Sequence, residues 1–228
     1  MKCLNIIVYY DNPDEVYNYI EEINKNQEKL VDIAIVVNKN SKHQLENTKK
    51  LWRKMGYENI YIYDYKLNIG YLNALLFITR EICLNQYKFI ILSNTDIHYC
   101  SNCFFENLLE KNYKKFVGCI APNVYSLKSK SYSNPHYKKR ISKYHYKKLS
   151  KIFSKPILAK MYLNMSEIKT RIKRQKEQTD SCYVYSPHGC YMIFTLEFIK
   201  KLRGLEYGVK MYSEEAFVGE MLEKNSLK

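Results

Sequence analysis

The chain has 228 residues, a formal net charge of +14 and 46% hydrophobic residues, a length and apolar content that suit one α/β domain with a core large enough to need no staples. Its seven cysteines are odd in number and carry no small-scaffold or zinc spacing beyond the lone pair Cys100 and Cys103, which points to reduced thiols and a cytosolic setting. No window holds the roughly 18 apolar residues needed to cross a bilayer, and residues 1–10 enter a strand directly rather than a signal peptide.

Leu4 to Tyr10 is a β-branched and aromatic run, followed by the turn group Asp11-Asn12-Pro13-Asp14 and a helical pattern through Val16, Tyr19, Ile20 and Ile23. Val31 to Val37 is a second strand ending in Asn38-Lys39-Asn40-Ser41, a polar loop that leads to a helix around Leu45 to Met55. Ile60 to Tyr63 makes a third strand, and Asn68-Ile69-Gly70-Tyr71 opens an apolar helix over Leu72 to Ile82. Phe89-Ile90-Ile91-Leu92 is too short for a helix; it predicts a buried parallel strand with Ser93-Asn94-Thr95-Asp96 at its end.

Strands alternating with helices over the first hundred residues imply right-handed crossovers, and hence a mostly parallel sheet with helices on both faces. Every polar loop then falls at one edge. Tyr9, Tyr10, Asp11 and Asn12, with Asn38, Asn68, Gly70, Asn94, Thr95 and Asp96, converge at the carboxyl ends of the strands, where such sheets bind nucleotides. Gly70 beside a helix start favours close approach of phosphate. Taken singly, Ser93 to Asp96 also fits a turn or helix cap, and Gly70 an ordinary loop glycine.

Beyond Asp96 the pattern predicts a helix around Phe104 to Leu109 and a strand from Phe116 to Pro122. Residues 126–180 differ in kind. Between Lys128 and Lys176 stand 16 Lys or Arg against the single acid Glu167, a net of +15, so the rest of the chain sums to −1. Helical spacing runs over Ser142 to Phe153 and Ile157 to Ile172; Ile141, Tyr144, Leu149, Ile152 and Phe153 can form an apolar stripe beside Lys143, Lys147, Lys148 and Lys151. That is the makeup of an interfacial basic helix, with a solvated insertion as the alternative. Tyr183 to Tyr185 predicts a strand, Ser186 to Gly189 a turn, Cys190 to Phe194 a strand, and Leu196 to Leu202 a short helix. A last helix opens at Tyr212-Ser213-Glu214-Glu215 and runs to about Glu223; its paired acids also suit a helix N-terminus for purely electrostatic reasons.

In this order the pieces resemble an inverting family-2 glycosyltransferase of the GT-A fold, similar to rhamnosyl and capsular-polysaccharide transferases. The resemblance implies a single α/β domain: a nucleotide-sugar half over 1–122, the basic helical insertion over 126–180, and an acceptor- and base-bearing part over 181–228. It makes Asn94-Thr95-Asp96 the DXD-type triplet, with Asp96 holding Mg²⁺ or Mn²⁺ against the donor diphosphate and a neutral first position at Asn94. Asn38 stands where the family has an acid for the base or ribose. Glu215 inherits the general base, with Glu214 as the alternative, and His188 and Gly189 match the turn beside the donor sugar, where His188 has a structural reading as well.

The implied partners are a UDP-, dTDP- or GDP-sugar and a glycan or lipid-linked acceptor in cell-envelope polysaccharide or glycolipid assembly. The basic stretch 138–176 would rest on anionic membrane at the inner face of the cell membrane. Relatives continue past the base-bearing helix into another strand and a distal histidine, whereas this chain stops at Ser226-Leu227-Lys228. A non-catalytic GT-A relative serving glycan assembly is therefore one alternative. A basic nucleic-acid-binding protein is the other, although no RRM, KH or zinc signature accompanies the charge.

Overall fold

A computed structural model describes residues 1–10, 12–38, 46, 49–50, 52–172 and 180–228. The chain divides into two units, one formed by residues 1–120 with 189–228 and the other by 121–188.

In the first unit, β1 (Lys2–Tyr9), β2 (Val31–Val37), β3 (Ile60–Asp64) and β4 (Tyr87–Ser93) run parallel, with β1 paired to both β2 and β4. Burial on both faces is what makes β1, β2 and β4 predominantly apolar, without the alternation of a half-exposed strand. Two further strands lie outside β4: β5 (Cys119–Ile120) and, from the second part of the unit, an antiparallel strand Tyr191–Thr195, numbered β8 below. The sheet order is β3-β2-β1-β4-β8-β5.

Helices cover both faces. Leu4, Ile6, Ala34, Val36, Ile90 and Leu92 share one core with α2 (Tyr71–Glu81) and with the late helices at 196–202 and 214–224. The opposite face meets α1 (Pro13–Gln27), whose buried Tyr19 hydroxyl accepts a 2.6 Å bond from Asn5 on β1, and α3 (Phe104–Glu110), whose Phe105 N–H bonds Gln27 on α1. Each fully buried Leu, Ile or Phe contributes about 1.5–3 kcal/mol. Asn12 caps α1 through a 3.3 Å bond from the Glu15 N–H, with Pro13 in the first helical position.

The second unit holds a two-stranded hairpin, β6 (Tyr125–Ser126) and β7 (Ser131–Tyr132), pinned by a Tyr125–Tyr132 ring contact at 5.2 Å. Two helices follow, α4 (Lys143–Phe153), capped by Ser142, and α5 (Pro156–Ile172). Buried Asn134 ties the ends of the unit: its Nδ2 donates to the Pro122 carbonyl and its Oδ1 accepts from the His188 N–H, both at 2.7 Å. After β8 come α6 (Leu196–Leu202) and α7 (Glu214–Lys224).

Three sequence expectations are corrected. The strand expected over 116–122 shrinks to Cys119–Ile120, because the Gly118 and Cys119 N–H groups both turn to the Lys228 carbonyl and Pro122 has no N–H to continue a ladder. Tyr183 to Tyr185 forms no strand; that stretch makes one isolated bridge, Tyr137 with Ser186. The stripe foreseen on α4 is only half-buried at Ile141, Leu149 and Ile152, while Tyr144 and Phe153 are exposed. Of the helix expected around Leu45 to Met55, residues 46, 49–50 and 52–54 are described and helical.

Candidate active site

Because β1, β2 and β4 run the same way, Tyr9, Asn38 and the Asn94–Asp96 loop all emerge at one edge of the sheet. A single dipeptide, Gly189-Cys190 just before β8, ties three further pieces to that edge. The Asn94 N–H donates to the Cys190 carbonyl at 2.9 Å, extending the β4–β8 ladder one step to hold the Asn94-Thr95-Asp96 loop. The Tyr71 hydroxyl, at the start of α2, donates to the Gly189 carbonyl at 3.0 Å. The Gly189 N–H donates to Glu215 Oε1 at 3.1 Å, at the start of α7.

The electrostatics report the same convergence. Burial pushes the Cys190 thiol up to about 11, and the negative charges of Asp96 and Glu215 both add to that rise. The two carboxylates therefore lie within electrostatic reach of one thiol. Asp96 is exposed and has no hydrogen-bond or ion-pair partner among the described residues. Glu215 is half-buried, and its Oε2 is left without a partner among them. Glu214 is buried; loss of solvent raises its pKa, and Glu215 beside it adds to the rise against a backbone N–H that lowers it. Burial also holds the Tyr71 hydroxyl proton well beyond the ordinary range, keeping it a donor to Gly189.

Beneath this edge lies a buried polar ladder. Tyr19, Ser93 and Asn5 exchange hydrogen bonds at 2.6–3.0 Å, and Tyr19 continues to Tyr99 and then to Tyr191 on β8. Asn5 and Ser93 are the polar exceptions in two apolar strands, the signal by which this ladder is legible. Thr95 donates to Glu15, linking the Asp96 loop to the first turn of α1.

Tyr9, Asn38, Asn68 and Gly70 follow along the rim. Tyr9 is buried edge-on against Trp52 at 5.1 Å, and its carbonyl accepts from the Asn38 N–H at 2.9 Å; Tyr10 is exposed. Asn38 is buried and its Oδ1 accepts from the Ile69 N–H at 3.1 Å, while Asn68 Oδ1 accepts from the Gly70 N–H at 3.0 Å. Asp11 lies outside the described residues, and His188 belongs to the second unit, where its ring meets His136 at 5.7 Å.

Gly70 has a local reason of its own. It caps α2 with φ at 89°, and a Cβ there would stand 2.3 Å from the Lys210 carbonyl oxygen, so the close approach is made by the chain's own backbone. Lys210 O also accepts the Tyr71 N–H at 3.2 Å. The loop 203–212 is strapped along α2: Asn73 donates to the Tyr207 carbonyl at 2.9 Å and accepts from its N–H at 3.0 Å, and Arg80 donates to the Leu205 carbonyl. The strap delivers the chain to Ser213, at φ 68°, and thereby fixes where α7 and its two acids begin. Asn73 and the strap carry no local signature in the sequence.

No protein-family model and no curated protein matches the chain. Among solved structures, the mannosyltransferase PcManGT from Pyrobaculum calidifontis, in complex with GDP-Man and Mn²⁺, aligns over 100% of this chain and 53% of its own at 9% identity and a TM-score of 0.62. GalNAc-T7 with UDP, GalNAc and Mn²⁺ aligns over 97% of this chain and 40% of its own at 12% identity and a TM-score of 0.60. The fold is GT-A. The chain thus spans about half the length of the first GT-A structure and less of the second, and at these identities the likeness is one of architecture.

Among the described residues no cluster of three or more His, Cys, Asp or Glu could hold a metal ion by itself. Among the described residues expected at this rim, the donor is one solvent-facing carboxylate, Asp96. That suits a hard divalent cation whose remaining ligands are diphosphate oxygens and water, rather than an all-protein cage.

Proposed function

We propose that the chain is a glycosyltransferase that moves a sugar from a nucleotide-sugar donor to a hydroxyl of a glycan or lipid-linked acceptor, with inversion, in cell-envelope polysaccharide or glycolipid assembly. The observation that carries the reading is that the Asp96 loop, through Asn94, and Glu215 are both hydrogen-bonded to the Gly189-Cys190 dipeptide at the carboxyl edge of a GT-A sheet. Relatives in fold captured with GDP-Man and Mn²⁺, and with UDP, GalNAc and Mn²⁺, support the donor class and the metal.

In this reading Asp96 holds Mg²⁺ or Mn²⁺ against the donor diphosphate; bound there, the ion supplies charge neutralisation for the departing nucleotide. Glu215 acts on the acceptor. With Oε1 fixed by the Gly189 N–H, Oε2 takes the proton of the acceptor hydroxyl as its oxygen bonds to the anomeric carbon. The bond from that carbon to the diphosphate breaks on the opposite side, and its electron pair leaves with the nucleotide. Attack opposite the leaving group inverts the centre. Glu214, buried and with its carboxyl held above the usual range by loss of solvent, is the alternative base.

A thermal-shift panel of UDP-, GDP- and dTDP-sugars with and without Mn²⁺ tests the reading. Stabilisation by one nucleotide class that needs the metal and is lost in Asp96→Ala is expected. A panel in which no nucleotide sugar stabilises the protein overturns it.

A further inference from the structure

In the second unit α4 half-buries its apolar stripe, whereas the long apolar side chains of α5 face water. The two helices pack on each other through Phe153 and Tyr162, whose rings stand 5.7 Å apart, and α5 sets its small residue Ala159 half-buried. At about 100° per residue, Ile157, Leu158, Met161 and Met165 fall within an arc of about 100°, away from Ala159. Ile157 is 77% exposed, Met161 58% and Met165 56%. Solvated helices carry charge on such a face; a contiguous run of long apolar side chains there marks a surface that something covers.

Charge identifies the cover. Lys143, Lys147 and Lys151 repeat every four residues on α4 and are all exposed, as is Lys160 on α5. The segment from Lys128 to Lys176 holds 16 basic residues and one acid. A second copy of the chain would bring like charge against like charge. Nucleic acid would meet the lysines and could stack on the exposed Tyr144, but it would leave Ile157, Met161 and Met165 in water, because aliphatic and thioether side chains offer bases no stacking platform. A bilayer bearing anionic headgroups answers both features, because its phosphates and carboxylates pair with the lysines while Ile157, Met161 and Met165 enter the headgroup–acyl boundary.

We propose that the α4–α5 pair is a docking surface for an anionic lipid bilayer, with Ile157, Met161 and Met165 as the inserted side chains and Lys143, Lys147 and Lys151 as the row that meets the headgroups. This goes beyond the transfer chemistry and does not depend on it.

The test is sedimentation of the full chain with phosphatidylcholine vesicles with or without about 30% phosphatidylserine, roughly the charge of an anionic leaflet. Binding to the anionic vesicles, falling as salt is raised, is expected. The pair Ile157→Asp and Met161→Asp should weaken it about tenfold or more, and charge reversal at Lys143, Lys147 and Lys151 should abolish the preference for anionic lipid. These side chains are exposed, so circular dichroism should match the parent. Equal binding to both vesicle types, or none, overturns the proposal. So does tighter binding to single-stranded RNA that displaces the vesicles, or a dimer in analytical ultracentrifugation that the Asp variants dissolve while lipid binding persists. Retained donor-induced thermal shift in the same variants separates this failure from failure of the transferase reading.

Discussion

Gly189 and Glu215, 26 residues apart in sequence, are joined by a 3.1 Å bond from the Gly189 N–H to Glu215 Oε1. A Cβ on Gly189 would stand 2.8 Å from that same oxygen, and the backbone of Gly189 is not left-handed. Gly189→Ala therefore costs the fold little, since the end of a flexible side chain can swing away, but it moves the carboxylate. The expected outcome is a melting temperature within a few degrees of the parent and a transfer rate lower by roughly 10- to 100-fold. A variant with unchanged transfer would separate Glu215 from the chemistry.

Asp96 has no partner within the described protein, so its removal should show in binding and not in stability. Asp96→Ala and Asp96→Asn are expected to unfold within about 0.5 kcal/mol of the parent in urea, as surface substitutions do. Both should lose the Mn²⁺-dependent part of the donor-induced thermal shift. If the chain is a non-catalytic relative, Asp96→Ala and Glu215→Gln leave the cellular phenotype intact, and that outcome decides between the readings.

The sheet is legible because β1, β2 and β4 are buried on both faces, so each appears in the sequence as a mostly apolar run, interrupted only at Asn5, Asp32 and Lys88, with a polar loop at its exit. The acids were legible too: Asp96 follows the buried strand, and Glu214 and Glu215 start the last helix. What joins them was not. Tyr71 reaches Gly189 across 118 positions and Asn73 reaches Tyr207 across 134, and no local pattern encodes such pairings. The Gly70 contact with Lys210 and the shortening of β5 by the Lys228 carbonyl are of the same long-range kind. Periodicity predicted helices over 142–153 and 157–172, but which side meets water follows only from what each helix packs on.

Glu214 gives a pH signature. Burial raises its pKa in the folded state above the unfolded value, so the folded protein holds this proton more tightly. Its stabilising contribution is complete below the unfolded pKa and is lost as pH rises through the folded one. Glu214→Gln keeps an acceptor for the backbone N–H without the charge. It should melt higher than the parent at neutral pH, with the difference closing as the pH falls below the carboxylate range. Scanning calorimetry over that range checks the sign.

Three glycines with positive φ separate strain from contact. Gly56 at 75° and Gly204 at 91° have open space where a Cβ would go, whereas Gly70 at 89° has the Lys210 backbone. Alanine at Gly56 or Gly204 should cost about 1–2 kcal/mol from the left-handed backbone alone. Gly70→Ala adds a backbone clash of about 1–3 kcal/mol and should also disturb the strap, so urea midpoints should rank it well below the other two.

The strap itself is tested at Asn73. Its amide donates to the Ile69 and Tyr207 carbonyls and accepts from the Tyr207 N–H, so one side chain holds both the start of α2 and the loop that leads to Glu214. Asn73→Ala leaves those backbone groups without the partner, at a cost of about 1–3 kcal/mol. The Asp96 loop is held separately, by the Cys190 carbonyl on Asn94. Hydrogen exchange should therefore quicken at Tyr207 and Tyr71, the amides the strap protects, while the amide of Asn94 stays as protected as in the parent. Donor-induced stabilisation should persist and the transfer rate should fall, because the start of α7 is no longer fixed against Gly189. Loss of donor binding together with transfer would mean that the strap supports the whole rim and not the placement of Glu215 alone.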